Sequence, residues 1–305
     1  MNIKIRSHLA LFSVATIYGV NYTVAREVMR GGYVEPLGFI LLRVIMGAGM
    51  FWLISMLLPK ERIQRSDFRL IILCGLFGTA INQMFFFSGL KYTTPINASL
   101  IMTVTPLMVL LAAAFILSER ITFRKLIGLL IGLLGAIIVI GYGQAIAFSL
   151  ESLQGDIMVL INAISFGIYL VLVKSLMKRY QTITVLKWVF TVGTIIVLPF
   201  GIGDLSVVEW STFPLPIWGA IAFVLIMTTC VAYLLNAFAL KHLRASVVGI
   251  YIFLQPVIAT AVALLAGRDE LSGFKIIAAI LIFTGVYLVS KAPQMDTASK
   301  VLNNK

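Results

Sequence analysis

Arg43 is the charged residue that the sequence places deep inside an apolar stretch, seven residues after Pro36. At 1.5 Å per residue it would lie roughly 10 Å along a helix that begins there. An arginine at the centre of a membrane helix costs on the order of 2.5–3.5 kcal/mol. If it faces lipid it must snorkel outward. If it faces a polar interior it can attract a carboxylate or hold the carbonyl oxygens of a neighbouring helix. We expect one of these interior roles, and the choice between ligand site and structural anchor stays open.

Uncharged polar residues form a second group of candidates, because they recur three or four residues apart and so share single helical faces. The predicted substrate-binding set is Tyr18, Asn21, Tyr22, Arg43, Asn82, Gln83, Tyr169, Tyr233, Asn236, Tyr251 and Gln255. For any one residue, hydrogen bonding between helices is as good an interpretation, and each such bond is worth about 0.6 kcal/mol. Taken together, the residues predict a cavity lined by amides and aromatic rings, suited to hydrogen bonds and cation–π contacts.

No acidic residue is expected well inside an apolar stretch, and His8 and His242 fall at the ends of such stretches. Carboxylate-borne proton coupling is therefore disfavoured. Nucleotide-binding loops, His-Glu-x-x-His and Gly-x-Ser-x-Gly are missing from the sequence, so we expect neither an enzyme nor a cofactor or metal. Without a fixed negative charge in the cavity, zwitterions and neutral amphiphiles fit better than polyamines, because a buried ion costs several kcal/mol when unpaired. Amino acids with larger hydrophobic side chains match this description.

Composition defines the class of protein that must position these residues. Hydrophobic residues make up 60% of the chain and charged residues 12%, about half the charge of a soluble domain. The net charge of +12 comes from short basic clusters between apolar stretches, a pattern of membrane topology and lipid headgroup contact, not of nucleic-acid binding. Cys74 and Cys230 lie inside apolar stretches, which favours buried thiols over a disulfide. The sequence predicts an all-α integral membrane protein.

Ten transmembrane helices are predicted, separated by glycine, proline and charged residues. Their expected ranges are 9–29, 36–58, 68–90, 96–117, 124–142, 156–176, 184–203, 215–240, 246–266 and 273–290, with a polar tail from about 293. The glycines of the fifth stretch (Gly128, Gly132, Gly135) and Gly47 and Gly49 of the second predict surfaces of close helix packing.

An internal repeat organises the ten stretches. A shift of 150 residues places Lys91 on Lys241 and Pro106 on Pro256, and a shift of 148 places Asn21 on Tyr169. We divide the chain into halves at 1–148 and 149–305. Pro106 and Pro256 interrupt helices at equivalent places, and each is interpreted either as a hinge or as a static kink.

Charge distribution predicts the orientation. With a cytoplasmic N-terminus, 18 basic residues face inward and 5 outward, which with Arg43 accounts for all 24. The positive-inside rule therefore places both termini in the cytoplasm. Because each half has five spans, the second half enters the membrane upside down, and such inverted repeats are typical of secondary transporters.

Several of these motifs resemble the EamA family of the drug/metabolite transporter superfamily. They are Tyr18-Gly19-Val20-Asn21-Tyr22, Pro36 with Arg43, Pro106 followed by Glu119, and Tyr233 through Ala237, Leu240 and Lys241 to Pro256 and Asp269-Glu270. The resemblance covers nearly the whole chain, with Tyr18 where the family more often has tryptophan. It implies ten helices as an inverted five-helix repeat and export of small metabolites such as amino acids, and it does not carry over a substrate.

We therefore expect a secondary active transporter in the cytoplasmic membrane that exports small metabolites, such as amino acids or related amphipathic compounds, by alternating access. Its expected partners are the small-molecule substrate and membrane lipid. Whether it forms a homo-oligomer stays open. An importer or exchanger, or a membrane scaffold or receptor that transports nothing, are the alternatives. Saturable counterflow in liposomes distinguishes a carrier from a scaffold.

Overall fold

The computed structural model describes residues 2–30, 32–93, 95–141, 152–265 and 272–291, and contains no β-strand among them. Their helices group into ten segments. These are α1 (Ile3–Arg30), α2 (Pro36–Met56), α3 (68–92), α4 (95–117), α5 (Phe123–Gly141), α6 (Leu153–Met177), α7 (Thr182–Ser206), α8 (215–242), α9 (245–265) and α10 (Gly273–Ser290). Short 3₁₀ turns occupy Arg65–Asp67 and Trp210–Thr212. The ten predicted stretches correspond to these segments, and α1 and α7 run beyond their predicted limits at 9 and 203.

Nine helical stretches of the described residues are long and apolar enough to cross a membrane. α1 is not among them, although its 28 residues are sufficient in length, because its central part carries polar residues such as Thr16, Tyr18 and Asn21. Large apolar side chains are exposed on many helices, for example Leu53 at 64% and Phe115 at 84%. A soluble monomer rarely exposes apolar surface on this scale. The chain is a multi-pass membrane protein.

Two helices contain a π-helical turn. α3 consists of Phe68–Gly75, the π segment Leu76–Ile81 and Asn82–Tyr92. α8 consists of Leu215–Phe223, the π segment Val224–Val231 and Ala232–His242. A shift of 150 residues places the first π segment on 226–231, the end of the second, and places Asn82–Tyr92 on Ala232–His242. π turns are rare and often occur at functional sites.

Two other helices are interrupted before a proline. α4 divides into Pro95–Met102 and Thr105–Leu117, and α9 into Ala245–Ile250, the 3₁₀ turn Tyr251–Phe253 and Leu254–Leu265. A proline ring collides with the carbonyl four residues earlier and has no N–H to donate. For Pro106 that carbonyl belongs to Met102, where the first part of α4 ends, and for Pro256 it belongs to Ile252 inside the 3₁₀ turn. The predicted interruptions therefore lie about one turn before each proline.

The halves pack through matching helix pairs. α2 packs on its equivalent α7, and α5 packs on its equivalent α10. α3 packs on α6, and the equivalent pair, α8 and α1, packs in the same way. A Cβ on Gly135 would lie 2.7 Å from the Ala278 carbonyl oxygen, and one on Gly285 would lie 2.6 Å from the Gly128 carbonyl oxygen. Only glycine allows this approach, as predicted for α5.

The second predicted glycine surface, on α2, is only half correct. A Cβ on Gly47 would meet the Phe190 ring at 2.5 Å, whereas nothing lies within 4 Å of Gly49. Gly49 is two residues further on and so lies on the opposite side of the helix.

At each end of the bundle, loops from distant parts of the chain contact one another. Arg179 contacts Asp67 at 2.5 Å, and the Gln181 amide donates to the Glu61 carboxylate at 2.9 Å, which joins the α2–α3 and α6–α7 loops. Tyr33 packs on Phe213 at 5.2 Å between ring centroids, which joins the α1–α2 and α7–α8 loops. Successive membrane crossings place consecutive loops on alternate sides of the membrane, and these contacts join only loops that would lie on the same side.

Candidate functional site

Arg43 is buried, with 6% of its surface exposed. Its Nε donates one hydrogen bond to the Thr229 hydroxyl at 3.2 Å, and its guanidinium carbon lies 5.3 Å from the centroid of the Phe87 ring. Among the described residues no carboxylate lies within 4.0 Å of it, and its two terminal nitrogens have no hydrogen-bond partner. A buried cation without a counter-ion is costly, so this geometry favours binding of an anionic group.

The π turn of α8 positions Arg43. Thr229 lies in that turn, and its hydroxyl donates to the Val224 carbonyl at 3.0 Å, five residues earlier. That orientation leaves a lone pair for the Arg43 Nε, so the irregular turn fixes one edge of the guanidinium. The equivalent residue under the 150-residue shift, Thr79, instead donates to the Gly75 carbonyl and fits against Gly193.

Aromatic rings surround the arginine. Tyr233 is buried and contacts Phe190 at 4.9 Å between ring centroids and Tyr169 at 6.4 Å. Tyr18 and Tyr233 lie close enough to Arg43 to interact electrostatically with it, and Tyr18 lies near Tyr169. The structure therefore brings together predicted residues from α1, α2, α6 and α8.

Two amide side chains beside this cluster have buried polar atoms that make no hydrogen bond to the described residues. They are both polar atoms of Gln83 and Oδ1 of Asn21. Gln83 is 3% exposed and lies one turn before Phe87 on α3. Its amide lies close to the Tyr233 hydroxyl, which donates its proton to the Gly78 carbonyl instead. An unpaired buried polar group costs about 1–3 kcal/mol. Such groups are expected where a ligand supplies the missing partner.

Other polar side chains join helices, as the alternative interpretation predicted. The carbonyls in and next to the first π turn accept hydrogen bonds from Ser165 Oγ to Phe77 at 2.6 Å, from the Tyr233 hydroxyl to Gly78 at 3.0 Å, and from Asn162 Nδ2 to Asn82 at 2.5 Å. These bonds satisfy backbone groups that the irregular turn exposes. The Tyr233 hydroxyl thus supports α3, while its ring faces the cluster.

The remaining predicted residues have different surroundings. The Tyr251 hydroxyl lies 2.8 Å from His8 Nδ1 near the start of α1. The Gln255 carbonyl packs against Gly19. Asn82 and Asn236 are half-buried, and the Tyr22 side chain lies outside the described part of the structure. Tyr251 therefore contacts the first turns of α1, and the Gln255 backbone contacts α1 next to Tyr18.

Sequence reasoning missed an ion cluster at one end of the bundle. Glu119 accepts from Lys125 Nζ at 3.1 Å and from Ser246 Oγ at 2.9 Å, and Lys174 Nζ lies 3.8 Å away. Burial raises the pKa of Glu119, but the two ammonium groups and the hydrogen bonds from Lys125 and Ser246 outweigh it, so its pKa lies below the ordinary 4.5. Both lysines belong to the 18 basic residues that are predicted to face inward. The described residues contain no group of three or more His, Cys, Asp and Glu side chains suited to a metal ion.

A bundle of long apolar helices that encloses a buried polar cluster defines an integral membrane protein with a polar interior. The chain belongs to the EamA-like transporter family, whose sequence pattern matches residues 5–141 and 153–291. Its relatives are named as transporters and not as enzymes.

Two relatives and one solved structure illustrate the similarity. The chain is 27% identical over 296 residues to the uncharacterized transporter YyaM of Bacillus subtilis (strain 168), covering 94% of each. It is 23% identical over 234 residues to a protein of Streptantibioticus cattleyicolor named "Probable terminal-alkyne amino-acid exporter", covering 77% of each. A crystal structure of a protein that is 22% identical shares the fold with a TM-score of 0.75, covering 93% of this chain and 96% of the other.

Proposed function

We propose that this protein is a secondary active transporter that exports small metabolites, such as amino acids or related amphipathic compounds, by alternating access. The observation that carries the proposal is Arg43, a buried cation with free N–H groups and no carboxylate partner among the described residues. It lies near aromatic rings of the second half, such as Tyr233, and near the amides of Asn21 and Gln83 of the first half. A structural arginine would be expected to use its terminal nitrogens within the protein.

The proposed architecture is ten transmembrane helices in two inverted five-helix halves, 1–148 and 149–305. It is supported by the 150-residue recurrence of the π turns and of the helix breaks before Pro106 and Pro256. An odd number of spans per half inverts the second half, and the two packings that result open to opposite sides. In this scheme the two prolines are hinges. Both termini lie in the cytoplasm, and the protein occupies the cytoplasmic membrane.

The proposed substrate is a zwitterion or neutral amphiphile. Its carboxylate binds the free N–H groups of Arg43, its ammonium group lies over an aromatic face or against an amide oxygen, and its side chain packs on apolar residues. The relative named as an amino-acid exporter supports this class. All eleven predicted residues, including Tyr251 and Gln255, remain part of the proposal, because the second pair lies on the interrupted helix that would move.

Counterflow in proteoliposomes tests the proposal. Purified protein is reconstituted with unlabelled leucine or phenylalanine inside, and uptake of the labelled amino acid is followed with and without competitors. We expect saturable exchange, competition by large neutral amino acids, and little effect of polyamines. Strong competition by polyamines with none by neutral amino acids would refute the proposed substrate class.

The same proteoliposomes distinguish an exporter from the alternative functions. A scaffold or receptor gives no saturable flux with any substrate that stabilises the protein. An importer or exchanger gives counterflow but accumulates substrate in right-side-out vesicles, where an exporter depletes it. Light scattering of the purified protein establishes whether a homo-oligomer forms.

A further inference from the structure

The Glu119 cluster, defined as Glu119, Lys125, Lys174 and Ser246, lies at the end of the bundle away from Arg43. Its carboxylate has 13% of its side-chain surface exposed, and the ammonium-bearing side chains of Lys125 and Lys174 have 1% and 11%. Nearly buried ions are far less screened by water and salt than surface pairs. The cluster therefore contributes more than an ordinary surface ion pair.

Its members come from four separate parts of the chain. Glu119 follows Ser118, whose left-handed φ of 52° ends α4. Lys125 lies in the first turn of α5, Lys174 in the last turn of α6, and Ser246 at the start of α9. Each polar contact of the Glu119 carboxylate to Lys174 or Ser246 therefore joins the first half of the chain to the second.

Lys174 extends the connection to a further loop. Its Nζ donates to the Leu243 carbonyl at 2.8 Å, in the corner between α8 and α9. Lys125 Nζ also donates to the Arg120 carbonyl at 3.2 Å, within its own corner. One carboxylate thus holds the α4–α5 corner against both α6 and the α8–α9 corner.

The charge balance makes the carboxylate indispensable to this arrangement. Two ammonium groups share it, and Lys178 and Arg244 add further positive charge around Lys174. Without the carboxylate these cations repel one another across the interface between the halves. A nearly buried ion cluster also regains hydration when it opens, which offsets much of the Coulomb energy lost. Such a contact is stable while water is excluded, and its separation costs little free energy once water can hydrate the separated charges.

We propose that the Glu119 cluster is a latch that holds this end of the carrier closed and separates when the carrier opens there. The proposal rests on the alternating access proposed above, and in the proposed orientation this is the cytoplasmic end. Opening requires the α4–α5 corner to leave α6 and the start of α9, which are the segments that the carboxylate joins.

Distance measurement between labels tests the latch without any transport assay. Cysteines replace the exposed residues Ile121, in the α4–α5 corner, and Lys241, at the end of α8, in a protein carrying Cys74→Ala and Cys230→Ala. Spin labels at the two sites report the separation in detergent and in lipid nanodiscs. When the Glu119 cluster is unchanged, we expect two populations of the distance between the labels, with the shorter distance dominant.

Glu119→Gln and Lys174→Met are the test variants. We expect each to raise the ratio of long to short distances about tenfold, equivalent to about 1.4 kcal/mol. The double variant should exceed the larger single effect only slightly, because both substitutions break one latch. Glu61→Gln is the matched control: this carboxylate lies at the same end and accepts a hydrogen bond from the Gln181 amide, so its neutralisation should leave the ratio unchanged.

The outcomes separate the latch from the proposed function. An unchanged distance distribution in a folded Glu119→Gln protein overturns the latch, even if counterflow is normal. If Glu119→Gln does not fold, Lys174→Met decides in the same way. Changed distances without counterflow of any amino acid support the latch and contradict the proposed substrate. An equal response to Glu61→Gln also overturns it, because the effect would then be one of general charge.

Discussion

Replacing Arg43 by methionine should greatly weaken substrate recognition while leaving the fold nearly unchanged. In the structure Arg43 makes one hydrogen bond to a neutral hydroxyl and one contact with the Phe87 ring. A hydrogen bond involving a charged group contributes about 1.5–3 kcal/mol, and a cation–π contact about 0.5–2 kcal/mol. The cost of an arginine inside the membrane, about 2.5–3.5 kcal/mol, opposes both. These contributions nearly cancel, so the stability of the variant should differ by less than about 1 kcal/mol.

Recognition of a carboxylate should change far more. Removing one partner of a desolvated charge pair costs about 2–5 kcal/mol. At about 3 kcal/mol the apparent KM for a neutral amino acid rises roughly 150-fold. Arg43→Lys should recover part of this loss, because lysine keeps the charge but lacks the planar pair of N–H donors.

The role of Thr229 gives an internal check on this reasoning. Thr229→Val keeps the shape and removes the hydroxyl that accepts from the Arg43 Nε. Losing one hydrogen bond that positions the guanidinium should cost about 1 kcal/mol, or about fivefold in KM. If the Thr229 hydroxyl does not help to position Arg43, Thr229→Val should leave KM unchanged.

Proteoliposome counterflow and thermal unfolding of the same preparations measure both quantities. Arg69→Met is the matched control, because Arg69 is an exposed arginine at the start of α3. Failure of both Arg43→Met and Arg43→Lys to fold would make Arg43 a structural anchor and refute the reasoning. A folded Arg43→Met protein with an unchanged KM would refute it equally.

Three further predictions concern the site, the topology and the ion cluster. Tyr233→Ala and Asn21→Ala should each raise KM several-fold in counterflow, since they remove walls contributed by different halves. Cysteine labels at Lys4 should react only from the cytoplasm and those at Glu209 only from outside, as impermeant reagents would show. The pKa of Glu119 is lowered by folding, so its contribution to stability is complete above the unfolded value, ordinarily 4.5, and is lost as the pH falls through the folded value. Thermal unfolding between pH 7 and pH 3 should show this loss, and Glu119→Gln should not.

The arrangement of the helices could be predicted because each crossing is a long apolar stretch bounded by glycine, proline or charge. Pro106 and Pro256 correctly indicated interrupted helices, since the effect of a proline on the carbonyl four residues earlier is local. The π turns at Leu76–Ile81 and Val224–Val231 have no such residue signature. They depend on hydrogen bonds to neighbouring helices, such as Tyr233 to the Gly78 carbonyl, which no single stretch reveals.

The candidate site could be predicted only in part, because helical periodicity shows which residues share a face but not what that face meets. Arg43 and Tyr233 were expected to be interior, and they lie near each other. Tyr251 shares the polar character of the set but meets His8. Lys174 is one of the basic residues that predict the orientation, and Glu119 belongs to the motif that follows Pro106, but neither pattern indicates that the two side chains meet. A carboxylate just after a span, with lysines at neighbouring span ends, is the signal that would have indicated the cluster.

The two halves supply different side chains at equivalent positions, and this has an energetic consequence for the proposed carrier. The shift of 150 places Gln83 on Tyr233, and the shift of 148 places Asn21 on Tyr169. At these two pairs the amide comes from the first half and the phenol from the second. In a repeat with identical lining, the packings open to either side would have equal energy. Exchanging an amide for a phenol at each pair removes that equality, because the unpaired Gln83 amide and the bonded Tyr233 hydroxyl exchange surroundings when the halves exchange roles. For the alternating access proposed above, such a difference in lining gives the two packings unequal energies, so we expect the empty carrier to favour one side at rest.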